Sequence, residues 1–102
     1  MTGQTTVVNM QQDDFDVYIG RKGRGWGGYF GNPFRRTPRE PPGDTLVRFE
    51  RYFLERVESD QEFRARVLGL AGKRLGCFCK PNPCHGDAIA RWVNRMTSAR
   101  QD

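Results

Sequence analysis

A chain of 102 residues is long enough for one domain and too short for two. Its 17 Lys and Arg outnumber 12 Asp and Glu, and the resulting net charge of +5 points to an anionic partner. Three cysteines, an odd and small number, speak against a secreted disulfide scaffold and for a reducing compartment. No apolar run approaches the ~20 residues of a membrane span, and no basic segment followed by an apolar one marks a secretory leader. The expected setting is the cytoplasm, with no membrane partner.

In chain order, residues 1–4 read as a loose terminus. Thr5-Thr6-Val7-Val8-Asn9-Met10 is β-branched and predicts a strand. A polar turn, Gln11 to Asp14, leads to the alternating run Phe15-Asp16-Val17-Tyr18-Ile19, a second strand stopped by Gly20. So short a connection predicts a hairpin, because a neighbouring parallel pair needs a longer crossover.

Residues 20–43 are rich in Gly and Pro and predict a long loop. Arg21, Lys22, Arg24, Arg35, Arg36 and Arg39 stand there against Glu40 alone, so this segment carries the net charge. It resembles neither a Walker loop nor a dinucleotide fingerprint. Interleaved Arg and aromatic residues suit stacking on bases beside phosphate contacts. The competing and favoured reading is that Trp26, Phe30 and Phe34 pin the loop to the core, which a small domain needs.

Asp44 predicts the N-cap of a helix whose apolar positions are Leu46, Phe49, Phe53 and Val57. Ser59 and Glu62 form a capping-box pattern for a second helix, with Phe63, Val67 and Leu70 as its stripe and Gly72 as its stop. Arg74–Cys79 predicts a third strand. Asn82 then caps a last helix with Pro83 at its first position, a stripe of Ala88, Ile89, Trp92, Val93 and Met96, and a fraying tail from Thr97. The fold class is α/β: a small single domain ordered β-β-loop-α-α-β-α, with helices packed on a three-stranded sheet.

The chemistry concentrates between Cys77 and Asp87. Cys77, Cys79, Cys84 and His85 are four soft ligands within nine residues, a set that suits zinc. Cys77 and Cys79 would share a strand face, their Cα atoms ~6.6 Å apart. Against a metal, the spacing is Cys-x-Cys rather than a Cys-x-x-Cys knuckle, and Cys84 and His85 diverge by ~100° on a helix. A Cys77–Cys79 disulfide is disfavoured by extended geometry.

A second reading places Cys84 and His85 in the first turn of a helix, where unsatisfied N–H groups bind phosphate and favour a thiolate. His85 would then be the acid–base residue, Asp87 its orienter and Cys84 a candidate nucleophile. Arg21, Arg24, Asn32 and Lys80 would hold the anion. A third reading makes the cysteines buried hydrophobes and His85 a satisfied core residue.

Val8-Asn9, Asp16–Arg21, Gly31-Asn32-Pro33-Phe34, Gly72-Lys73, Cys77–Pro81 and Cys84–Asp87, in this order, resemble a family of unknown function, domain number four-three-two-six. It is common in bacteriophages and some bacteria. The resemblance spans about Val7 to Val93, and the stretch Gly23–Tyr29 is longer than the family's simple link. It implies a compact α/β fold and a phage or bacterial cytoplasm, and it brings no assigned activity. The expected function is binding, with processing as a secondary option, of a phosphate-bearing ligand such as a nucleotide or nucleic acid at the junction 77–87. The alternative is a zinc-stabilised, non-catalytic module for nucleic acid or a host protein.

Overall fold

Three short runs become strands in the computed structural model: β1 (Thr6–Asn9), β2 (Val17–Tyr18) and β3 (Arg74–Cys77). The structure describes residues 4–21, 25, 27–34, 39, 44–78, 80 and 83–100, with side chains through residue 97. The sheet order is β1-β3-β2, and both outer strands run parallel to β3. The predicted hairpin is therefore wrong. β1 and β2 do not pair, because β3 lies between them, and the link 10–16 crosses the sheet instead of folding back beside β1.

Two contacts explain how so short a link manages this. Asp16 anchors the start of β2 to the start of β3: its amide donates to the Arg74 carbonyl at 2.8 Å, and its carboxylate accepts the Arg74 amide at 2.7 Å. Phe15 crosses directly over Gly76, where an added Cβ would lie 2.7 Å from the ring. Glycine inside a strand weakens it, and here it marks the close approach of another segment.

Strand alternation sorts the side chains by face. Val7, Leu75 and Val17 lie in register on one face, with Asn9 beside Cys77. Leu75, Cys77 and Ile19 on that face are buried. The helices α1 (Asp44–Ser59), α2 (Gln61–Leu68) and α3 (His85–Arg100) cover it. Phe49, Phe53 and Val57 from α1, Phe63 and Val67 from α2, and Ile89, Trp92 and Val93 from α3 complete one core. Each such side chain contributes ~1.5–3 kcal/mol by burial. Phe53 stands edge-on to both Phe63 and Trp92, which locks the three helices together.

Several boundaries shift from the sequence expectation. The N-cap of α2 is Asp60, whose side chain accepts the Phe63 amide, while the Ser59 hydroxyl bonds back to the Glu55 carbonyl inside α1. The helix stops at Leu68, and Gly72, at φ 75°, sits in the turn into β3. β3 ends at Cys77 rather than at Cys79, which lies outside the described residues, as does Asn82. α3 starts at His85 with Cys84 in the cap position, and it runs through Thr97, whose hydroxyl donates to the Val93 carbonyl at 2.9 Å.

Thr5, read as the first strand residue, has a different task. Its buried hydroxyl donates to the Leu70 carbonyl and accepts the Gly72 amide, both at 3.0 Å. Its backbone exchanges two hydrogen bonds with the Asn94 side chain, at 2.8 and 3.0 Å. One residue thus joins the turn after α2, the start of β1 and the middle of α3.

Gly76→Ala is expected to destabilise the fold by about 1–3 kcal/mol, the usual cost of overpacking, although alanine suits a strand better than glycine. Urea unfolding measures it, and the cost should shrink in a Phe15→Ala background.

Candidate functional site

Because all three strands are parallel, their carboxyl ends share one edge. Open α/β sheets bind ligands at that edge. A cavity of about 540 Å³ lies there, within the size range of small-molecule sites. Tyr18, Gly20 and Arg21 line it from the end of β2, and Cys77 and Phe78 from the end of β3. Thr45 and Leu46 of the first turn of α1, Pro83 and His85 at the start of α3, and Asn32 complete the wall.

The described stretch 27–34 of the glycine-aromatic loop reaches this edge pinned to the helices. Tyr29 and Phe30 pack on Phe63, and Phe34 packs edge-on to Tyr52. The Arg56 guanidinium lies 4.0 Å over the Phe63 ring, and Arg66 lies 4.8 Å over Tyr29. At Gly31 the loop meets the end of β2 so closely that a Cβ would sit 2.8 Å from the Gly20 carbonyl oxygen. Trp26 lies outside the described residues.

Arg21 and Asn32 hold the loop's end in shape. Arg21 Nε donates to the Asn32 carbonyl at 3.1 Å, and its Nη2 donates to the Phe34 carbonyl. Asn32 is buried. Its Oδ1 accepts the Phe34 amide at 2.9 Å, and its Nδ2 donates to the Thr45 carbonyl at 3.4 Å. Asn32 therefore spends its polar atoms shaping the wall. Arg21 uses two of its five N–H donors on the loop and brings its charge to the cavity.

His85 is only 7% exposed. Its Nε2 lies 2.7 Å from the Ile19 carbonyl oxygen, so Nε2 carries the proton in the neutral ring and Nδ1 is an acceptor. Nδ1 lies 3.6 Å from Cys84 Sγ, and the Phe49 ring stands edge-on at 5.0 Å. Burial pushes the His85 pKa below the ordinary 6.5 and the nearby Arg21 charge lowers it further, while the Ile19 and Phe30 carbonyls and Asp87 oppose the shift. The site thus holds a neutral imidazole near neutral pH.

Cys84 caps α3 in the manner usually left to serine or aspartate. Its Sγ accepts the Gly86 amide at 3.4 Å, and the Asp87 carboxylate accepts the Cys84 amide at 3.1 Å. This corrects the role expected of Asp87. It does not orient His85, which the Ile19 carbonyl does. Asp87 instead closes the cap and pairs with Lys80 at 2.6 Å. Lys80, expected to hold an anion, also accepts the Asn9 side-chain amide on its carbonyl at 2.7 Å, which ties the loop after β3 to the end of β1.

The fold therefore gathers Arg21, Asn32, Cys77 and His85 around one cavity. Cys84 and Asp87 border an adjoining depression of about 260 Å³ with His85. Arg24 and Cys79 lie outside the described residues. Among the described residues, no group of three or more His, Cys, Asp or Glu side chains converges to hold a metal ion. Sequence reasoning missed Tyr18, Phe78 and the first turn of α1. The signal for the first two was present: each stands one residue before the end of a predicted strand, and a parallel sheet places such ends together.

A short parallel sheet covered by helices on one face, with a cavity at its carboxyl edge, defines a small single-domain α/β protein. The chain belongs to the family described as Domain of unknown function (DUF4326), whose model matches residues 4–95. It is 44% identical over 90 residues to an "Uncharacterized 12.4 kDa protein in nrdA-td intergenic region" of Enterobacteria phage T4, covering 88% of this chain and 78% of that protein. No solved structure matches significantly. No helix among the described residues is long and apolar enough to cross a membrane.

The lowered His85 pKa fixes a direction of pH dependence. The unfolded chain takes up this proton more readily than the folded one, so the contribution is complete above pH 6.5 and declines as the pH falls below it. One proton limits the slope to ~1.4 kcal/mol per pH unit. Asp16 and Asp60, held below 3.8 mainly by backbone amides of Arg74 and Phe63, act only at lower pH. Thermal melts between pH 7.5 and 5 should therefore show a decline that is absent in His85→Gln.

Proposed function

We propose that the cavity at the carboxyl edge binds a phosphate-bearing ligand of nucleotide type. The observation that carries this reading is the division of the wall. Arg21 and the first turns of α1 and α3 supply positive charge and helix N-termini on one part. Tyr18 and Phe78 supply aromatic surface on another, edge-on with centroids 6.4 Å apart.

Phe78 is 42% exposed, an unusual place for a phenylalanine and a good one for stacking on a base. Among the described residues, no acidic one lines this cavity. His85, neutral and with Nε2–H committed to the Ile19 carbonyl, fits as a fixed wall and as an acceptor at Nδ1 rather than as a cation. The chain's basic excess favours an anion over a neutral ligand.

Amide NMR titration with nucleoside 5′-monophosphates and with inorganic phosphate tests the reading. Nucleotides should shift Tyr18, Arg21, Phe78 and the Gly86 amide, and phosphate alone should shift only the Arg21 and helix-start subset. Phe78→Ala should weaken nucleotide binding by ~5- to 100-fold, the range for one lost stacking contact. The same variant should leave phosphate binding and the fold intact. Shifts confined to other surfaces, or none at millimolar nucleotide, would reject the proposal.

A further inference from the structure

Two thiols from different elements meet beneath the site. Cys77 ends β3 and Cys84 caps α3, and their sulfurs lie 3.2 Å apart. Both are buried, at 1% and 3% exposure. This is well beyond a disulfide bond of ~2.05 Å, so the pair is a dithiol, yet only about 1 Å of approach separates it from bonding distance.

Burial costs a Cys84 thiolate its hydration, and three neighbours act against that cost. The Gly86 amide donates to Sγ at 3.4 Å, the start of a 16-residue helix lies behind it, and His85 Nδ1 is an acceptor 3.6 Å away. Cys84 borders the 260 Å³ depression and Cys77 borders the main cavity, so a small oxidant has a route to the pair.

We propose that Cys77 and Cys84 are a redox couple: hydrogen peroxide converts them to an intramolecular disulfide that thiol reductants reverse. His85 Nδ1 takes the Cys84 thiol proton, and the sulfur attacks one peroxide oxygen. The O–O bond breaks, leaving Cys84 as a sulfenic acid and releasing hydroxide, which recovers the proton as water. Cys77 Sγ then attacks Cys84 Sγ, expelling the hydroxyl group, which leaves as a second water with the Cys77 thiol proton. Two sulfurs lose one electron each, and the two peroxide oxygens gain them. The bond closes the loop 77–84, which carries Phe78 and Pro83 of the cavity wall. A transient bond of this kind is the form disulfides take in reducing compartments. The proposal does not depend on what ligand the cavity takes.

The test treats the full chain with hydrogen peroxide and reads its intact mass and a fragment map. Cleavage after Phe78 leaves Cys77 on one fragment, and Cys79 and Cys84 on the other. The expected result is loss of two hydrogens, linked fragments, and reversal by dithiothreitol. Cys79→Ser should behave like the parent chain, which assigns the bond to Cys84. Cys77→Ser should give no link and leave a sulfenic acid on Cys84 that dimedone captures. Circular dichroism checks that each variant is folded. The proposal is overturned if Cys79→Ser abolishes the link, or if peroxide at excess leaves the mass of the parent chain unchanged. It also fails if the thiols react only after a chelator has removed zinc from the purified protein.

Discussion

Every ladder hydrogen bond of the sheet involves β3, since β1 and β2 each pair with it and not with each other. This strand of four residues is the constraint on which the remainder of the molecule depends. Its parallel pairing on both sides puts Asn9, Tyr18 and Cys77 at one edge. It also requires a bare position at Gly76, where the link between β1 and β2 crosses. Because only residues 78–84 separate β3 from α3, the start of that helix lies at the same edge, beside the end of β2. The cavity follows from this arrangement and not from any one residue.

The hydrogen bond from His85 to the Ile19 carbonyl fastens the helix start to the strand end. It uses one ring nitrogen for structure and leaves the other facing Cys84. Burial keeps the ring neutral, so the positive character of the cavity comes from Arg21 and the two helix starts. The same junction holds Cys77 and Cys84 together beneath the surface. Structural and chemical roles therefore overlap at this point: the third reading of the sequence, a satisfied and buried histidine, describes the Nε2 side accurately. It says nothing of Nδ1.

Helices were the most legible part of the chain. Their apolar periodicity named Phe49, Phe53, Val57, Phe63, Val67, Ile89, Trp92 and Val93, all of them core residues. Loop aromatics were legible in the same way, since Phe30 and Phe34 do pack on the body of the protein. Caps were less so. Asp60 rather than Ser59 starts α2, and Cys84 caps α3, because the side chain that caps is the one the backbone path brings to an orphan amide. The family resemblance carried the fold and gave no reaction.

The amino-acid sequence by itself determined the element types, the apolar faces, the basic excess and the run in which the cysteines and His85 fall. These are local properties, set by spacing along one strand or one turn of helix. Tertiary structure alone decided that β3 enters between β1 and β2, which overturned the hairpin. It alone decided that Asp87 turns to Lys80 and the Cys84 amide, that Phe78 and Tyr18 meet, and that Cys84 Sγ rests on Cys77. Strand order rests on contacts such as Arg74 with Asp16 and His85 with Ile19, 58 and 66 positions apart. The shorter-range partners depend on the path of the loop before α3, and a pattern that repeats every two or four residues carries no record of either.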